Sequence, residues 1–379
     1  MARRHREGVV TINDVAARAG VSPGTVSKAL NGRGQLRSET RRKVVAAAQE
    51  LGFHANMLAR NLTEGRTYTV GVLTTDSFGR FTIPVMLGAE DALGAGQISV
   101  LLCDGRGDPI REQHYVRTLL ARRVDGIIVT GRTTDPRPSI GRDLPIPTVY
   151  ARARSDHPED LSLLHDDQQG AGLAIRHLLA TGRTRIAHIT GPDRHLAARD
   201  RAGGAKAALE AAGLGLVLDE PLMGEWSERW GREAASILMR SGAPFDGIFC
   251  GSDQIARGVA DTLREAGRLV PEEVGIVGVD NWEVMAEGCR PPLTTVDLNL
   301  TELGHTAATK LLNAIEGHPL ERGVQLLPCR LITRRSTEMS LDFGADASAA
   351  DEVYRRSVNR VPGQVPAERH RLRRAADIA

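Results

Sequence analysis

The chain has 379 residues, 41% hydrophobic and 25% charged, with a net charge of +2. At about 150 residues per domain, that length implies two or three domains with a core that needs no disulfide or metal staple. No apolar run approaches the roughly 18 residues of a membrane span, which excludes an integral membrane protein. The basic N-terminus lacks the apolar stretch of a secretory signal. Cys103, Cys250, Cys289 and Cys329 are far apart with no CxxC pair. Neither a disulfide framework nor a Cys-rich zinc site is expected, and a reducing cytoplasm fits.

The charge is uneven. Residues 1–60 hold 11 Lys/Arg against 4 Asp/Glu, and the remainder holds 38 against 43. A basic head on an acidic body suits a chain whose one end meets a polyanion. Charge alone leaves a solvated terminus open, so the motif inside the head decides. Lys28, Lys43, Lys206 and Lys310 are the only lysines, an arginine bias that reads as genome composition.

In the head, Thr11 caps a helix, and Asp14, three residues on, suits its first turn. Ile12, Val15, Ala16 and Ala19 fall at i, i+3, i+4 and i+7, one buried stripe, and Gly20 ends the helix. Ser22-Pro23 starts a second helix, with Ser22 as N-cap and Pro23 at the position where a missing N–H costs nothing. Val26, Ala29 and Leu30 form its apolar face, and Asn31-Gly32 stop it. A third helix runs from near Ser38 to Leu51, with Val44, Val45, Ala48 and Leu51 expected inward. Two short helices joined through Ala19-Gly20-Val21-Ser22 make a helix-turn-helix, whose second helix has the size of a major groove.

The stretch TINDVAARAGVSPGTVSKALNGRGQLRSETRRKVVAAAQELGFHANMLARNL resembles the DNA-binding head of the lactose-repressor (LacI) family of bacterial transcription regulators. The resemblance continues to about residue 339. It implies that the second helix enters the major groove, with Ser22, Pro23, Gly24 and Lys28 facing DNA. Lys28 is then the candidate for a guanine contact. Thr11, Ile12, Asn13, Thr25, Ser27 and Asn31 would hold phosphates, although Thr25 and Ser27 also read as plain helix surface. The segment Asn56-Met57-Leu58-Ala59-Arg60-Asn61-Leu62 resembles the family's hinge helix, with Asn56 and Ala59 on DNA and Leu62 as the minor-groove wedge. Such a short helix is unstable alone in water, so DNA and a partner hinge would order it. Ala55 stands where the family usually has proline. An ordinary linker helix with Leu58 and Leu62 paired is the alternative.

Thr63–Thr67 is polar and carries a glycine, so it reads as a linker. From Thr69, strand-like runs alternate with helices: TVGVLTT before a helix near 83–93, QISVLLC before 111–122, then VDGIIVTG. RIAHITG precedes 201–212, FDGIFCGS precedes 254–266, and EVGIVGVDN follows. Continuous apolar strands between helices mean parallel sheets with helices on both faces. The expected fold is an all-α helix-turn-helix head on an α/β body. That body resembles the two-lobed periplasmic-binding-protein fold, with lobes over 68–165 and 168–293 and crossovers near 165, 295 and 328. The expected division is a DNA-binding head over 1–55, hinge and linker over 56–67, and a ligand-binding, dimerising body over 68–340. Residues 341–379, rich in Ala, Asp and Arg, read as a disordered tail.

Ligands of open α/β sheets sit beyond the carboxyl ends of strands. Those ends carry Asp76, Phe81, Asp104, His195, Arg201, Trp226, Ser252, Asp253, Asp280 and Trp282. The resemblance implies that Arg201 and Asp280 grip the ligand and that Trp226 stacks on it. It makes Phe81, His195 and Ser252 variable pocket positions. For Asp104, Asp166 and Asp253 the competing reading is helix capping. Asp125-Gly126 and Asp246-Gly247 read as structural turns that start strands.

GxSxG, a Walker loop and HExxH are absent, so no catalysis, cofactor or metal is expected. The leading function is a DNA-binding regulator, usually a repressor in this family. It would act as a homodimer on a pseudo-palindromic operator, controlled by a sugar or related metabolite between its lobes. A solute-binding protein, or an enzyme with an accessory head, is the alternative.

Overall fold

The computed structural model describes residues 10–30, 36–53, 66–94, 98–141 and 143–338. In the head, α1 (Ile12–Ala19), α2 (Pro23–Leu30) and α3 (Ser38–Glu50) pack around Val15, Ala16, Val26, Ala29, Val44, Ala47 and Ala48. α1 opens on a reciprocal cap. The Thr11 N–H donates to the Asp14 carboxylate at 2.7 Å, and the Asp14 N–H returns to the Thr11 hydroxyl at 3.4 Å, satisfying two orphan donors. Gly20 ends the helix at φ +68°, a left-handed turn that glycine adopts without a Cβ penalty. One expectation fails: Val45 is exposed and Ala47 takes the inward place. Positions 44, 47, 48 and 51 share one helix face, whereas 45 sits a hundred degrees around from 44.

The body begins with β1 (Thr69–Thr74), α4 (Thr82–Leu93), β2 (Ser99–Asp104), α5 (Pro109–Ala121) and β3 (Gly126–Thr130). It continues through β4 (Pro136–Arg137), β5 (Thr148–Ala151), β6 (Arg154–Ser155) and β7 (Leu161–His165). The second lobe adds α6 (Asp167–Ala180), β8 (Ile186–Thr190), α7 (Leu196–Glu210), β9 (Leu222–Met223) and α8 (Glu228–Arg240). Then come β10 (Gly247–Cys250), α9 (Asp253–Glu265), β11 (Gly275–Val279), α10 (Glu283–Ala286) and β12 (Thr294–Asp297). α11 (Leu300–Ile315), β13 (Gly323–Leu327) and β14 (Arg330–Ile332) complete it.

The first sheet has the order β13-β7-β5-β3-β1-β2 and is wholly parallel. The second runs β14-β12-β11-β10-β8-β9, parallel except for β14. The chain therefore passes between the sheets after β7, after β12 and between β13 and β14. β1, β3, β7, β8, β10 and β11 are buried on both faces almost throughout, which is why they read as unbroken apolar runs.

α11 returns from the second sheet to pack on α4 of the first. The two helices cross at glycine. A Cβ on Gly88 would lie 1.8 Å from the Thr301 carbonyl oxygen, and one on Gly304 would lie 2.0 Å from that of Val85. Backbones at that separation exclude any side chain. Asp125 and Asp246 play matching structural parts. Asp125 accepts from the Thr67 and Thr69 N–H groups, and Asp246 from those of Thr184 and Arg185. Each carboxylate thus fixes the start of the neighbouring strand.

Candidate recognition helix and inter-lobe cleft

The head leaves its polar residues on the outside. Thr11, Asn13, Ser22, Pro23, Gly24 and Lys28 are exposed, and Ile12, Thr25 and Ser27 are half-buried. Ser22 caps α2. Its Oγ accepts from the Thr25 N–H at 3.2 Å and lies 2.9 Å from the Thr25 hydroxyl. Thr25 is therefore tied into the cap and is less free than a bare surface threonine. Lys28 lies on the solvent side, two residues from buried Val26. Asn31, Asn56, Ala59 and Leu62 lie outside the described residues.

Between the lobes is a cavity of about 1120 Å³, roomy for a small metabolite. Phe81, His195, Arg201, Trp226, Ser252 and Asp280 all line it, with Asp76 and Trp282. Asp104 and Asp253 do not. Asp104 turns back to the Arg106 N–H. Asp253 is fully buried, and the cap of α9 is Ser252, whose Oγ accepts from the Ile255 N–H at 3.3 Å. Asp253 instead accepts from the Trp282 N–H at 2.8 Å and the Thr295 hydroxyl at 2.6 Å, tying α9 to the sheet. Burial, and then the Asp280 charge beside it, push the Asp253 carboxyl up to about 8. Asp166 does cap a helix, accepting from the Gln169 N–H at 2.9 Å.

The two gripping candidates already hold protein partners. Arg201 is 4% exposed; its Nε donates to Asp167 at 2.7 Å and one Nη to the Gly251 carbonyl. Burial would raise the Asp167 pKa, but Arg201 and then His165 overcome it and hold the carboxyl well below its usual range. Burial likewise works to lower Arg201, but Asp167 and then Asp280 hold it above its ordinary value. Asp280 pairs across the cleft with Arg80 of the first lobe, which also donates to Gln254 at 2.9 Å and lies 4.4 Å from the Trp282 ring centroid. Asp280 sits at φ +110°, a conformation that costs an ordinary residue energy and is found where a site fixes it.

Trp226 donates its Nε1–H to His195 Nδ1 at 2.8 Å, with the Arg201 guanidinium 5.6 Å from its ring centroid. The ring lies on bare Gly191 backbone, where a Cβ would come within 2.2 Å of it. Phe81 lies under the Arg152 guanidinium, whose carbon is 3.4 Å from the ring centroid. Asp76 accepts from the Phe81 and Thr82 N–H groups at 2.8 and 3.0 Å, capping α4.

Sequence reading misses four residues here: Arg80, Arg152, Asp167 and Gln254. Arg152 follows β5, a four-residue strand between prolines and charges, too short to give a periodicity signal. Asp167 neighbours a helix cap and reads as part of it. Among the described residues no group of three or more His, Cys, Asp or Glu could hold a metal, and no helix is long and apolar enough to cross a membrane.

Comparison with known proteins bears on both regions. The sequence pattern of bacterial regulatory proteins of the lacI family matches residues 11–56, and that of a periplasmic binding protein-like domain matches 175–337. The ribose operon repressor of Escherichia coli (strain K12) is 34% identical over 328 residues, 84% of this chain and 98% of that protein. The HTH-type transcriptional repressor PurR of Aliivibrio fischeri (strain MJ11) is 30% identical over 333 residues, 86% of this chain and 98% of that one. Among solved structures, a lac repressor dimer bound to operator and the anti-inducer ONPF superposes with a TM-score of 0.67 at 27% identity. It covers 88% of this chain and 100% of its own. A complex of the transcriptional regulator CelR with cellobiose gives 0.61 at 31% identity, covering 86% and 99%.

Proposed function

The chain belongs to the lacI family of bacterial regulatory proteins, and from that premise we propose how its two regions work together. It is a DNA-binding transcriptional regulator of the repressor type and not an enzyme, as its curated relatives are repressors over most of their length. The head over 1–55 reads a pseudo-palindromic operator, and 56–67 forms the hinge and linker. The body over 68–340 binds a small-molecule effector and dimerises. It acts in the cytoplasm.

The observation that carries this reading is one chain holding both an exposed recognition helix and an inter-lobe cleft with charged walls. In the head, Lys28 reads a base from α2, with Ser22, Pro23 and Gly24 against the groove. Thr11, Ile12, Asn13, Thr25, Ser27 and Asn31 hold backbone phosphates. Asn56 and Ala59 meet DNA from the hinge, and Leu62 wedges the minor groove. In the body, Arg201 and Asp280 grip the effector, Trp226 stacks on it, and Phe81, His195 and Ser252 shape the pocket. Two-fold pairing doubles the contacts of one head. Ile83 and Leu87, one turn apart on α4, are each about half exposed, an apolar face that a second copy would cover.

Effector binding changes how Arg80 spans the lobes, and with it the spacing of the paired hinges, so the hinge holds DNA in one state only. The test is a gel shift on the DNA upstream of its own gene. A retarded complex whose affinity falls steeply with salt is expected. A log–log salt slope near zero removes nucleic acid from the account.

A further inference from the structure

We infer that the effector is an anion, a small metabolite bearing a carboxylate or phosphate, and that Arg152 selects it. This rests on the cleft being the effector site. Arg152 lines the cleft and is 4% exposed. One Nη donates to the Gly131 carbonyl at 2.7 Å, and the buried Nε has no partner. Among the described residues Arg152 makes no ion pair, although its cleft neighbours do: Arg80 with Asp280 and Arg201 with Asp167.

The aspartates of the cleft are committed elsewhere, Glu225 lies 3.7 Å from Arg194, and Glu283 is exposed. Asp76 caps α4, Asp135 accepts from the Leu196 N–H at 2.7 Å, and Asp280 is held by Arg80. Burial lowers Arg152 to about 10, opposed by the Asp280 and then the Asp167 charge without a direct pair to either, so it stays charged at neutral pH. The Phe81 ring supports the flat face of the guanidinium, but a ring quadrupole attracts a cation without neutralising it. The Nε–H still lacks an acceptor. Arg152 also sits at φ +57°, so the fold holds this cation under strain as well as without a directly paired carboxylate.

A buried charge without a counter-ion is costly to folding. Here Arg80, Arg152 and Arg201 share two carboxylates, Asp280 and Asp167, so the direct counter-ion of Arg152 is left for the ligand to deliver. A guanidinium edge presents paired donors that fit two oxygens of one carboxylate or phosphate. A neutral sugar would supply hydroxyl acceptors there but leave the charge uncompensated.

The test titrates the full-length protein calorimetrically with gluconate, glucuronate and glucose 6-phosphate. Sorbitol and glucose serve as neutral counterparts, and the carboxylate and phosphate arms separate the two anion sources. At least one anion should bind tenfold or more tightly than its neutral counterpart. Arg152→Gln, which keeps a donor for Gly131, should lose that preference. Ligand-free Arg152→Met should melt at or above the wild-type temperature, because it removes an unpaired buried charge. The proposal is overturned if no anion binds, if a neutral counterpart binds as tightly, or if the preference survives in Arg152→Gln. Arg152→Met melting several degrees lower also overturns it, since Arg152 is then a structural cation. A gel shift of the wild type run alongside separates the failures. Absent DNA binding sinks the regulator reading, whereas DNA binding without anion preference sinks only the role of Arg152.

Discussion

In the head, the side chains proposed to meet DNA stand outside the buried core, although Thr11, Ser22 and Thr25 also close helix caps. Lys28, Ser22 and Asn13 are exposed, while Val15, Val26 and Val44 are fully buried. The cleft reverses this arrangement. Arg201 and Arg152 are each 4% exposed, and Asp280 bridges the lobes through Arg80. Recognition and stability are therefore separable in the head at Lys28 and Asn13, and coupled in the body. The physical cause is the partner. A polyanion in water is met by exposed donors whose solvation changes little, whereas a small ligand is gripped by groups already taken out of water.

That contrast is most directly broken at Arg201. Removing it leaves the buried Asp167 carboxylate without its main partner, with only His165 beside it, so Arg201→Ala should lose about 3–5 kcal/mol of stability. Equilibrium denaturation measures this, and a loss below about 1 kcal/mol would show the cleft to be as separable as the head.

Acid sharpens the same point. His188 is buried against Phe249, with ring centroids 4.6 Å apart and Nδ1 2.9 Å from the Phe249 carbonyl oxygen. Burial pulls it down to about 4. Between about pH 6.5 and that value the unfolded chain takes up a proton that the folded one refuses. Stability then falls with falling pH, by about 3 kcal/mol across the window. Melting followed from pH 7 to 4 reads it, and restoring a flat profile with His188→Gln assigns it to this ring.

In the head the effects should part company. Lys28→Ala is expected to cost about 1–3 kcal/mol on the specific operator and less on random DNA, with the melting temperature unmoved. Equal loss on both DNAs would make Lys28 a phosphate contact only. The smallest expected effect is Thr11→Ala. It removes the reciprocal cap of α1 and should cost about 1 kcal/mol in head stability, measured as loss of helix protection in amide exchange over 12–19.

The helix-turn-helix was legible because its signals are local: the Thr11–Asp14 cap, the Gly20 stop and the Ser22-Pro23 restart lie within thirteen residues. The body's class was legible for a related reason. Strands buried on both faces write themselves as apolar runs such as GIIVT and GIVGV. Val44 and Val45 look alike in a sequence, but helical geometry turns Val45 out to solvent.

Sequence alone determined that a basic helical head precedes a two-sheet α/β body, since turn chemistry and burial period act over a few residues. Strand ends brought forward ten cleft candidates, Asp104 and Asp253 among them, and the family resemblance narrowed these to Phe81, His195, Arg201, Trp226, Ser252 and Asp280. Only the tertiary structure decided what those groups do to one another. Arg201 meets Asp167 across 34 residues, and Arg80 meets Asp280 across 200. Arg152 was left without a directly paired carboxylate because Asp76, Asp135 and Asp280 had been drawn to other donors. Charge pairing in a buried site depends on which groups the fold brings within a few ångströms in a low dielectric, and no spacing along the chain encodes that.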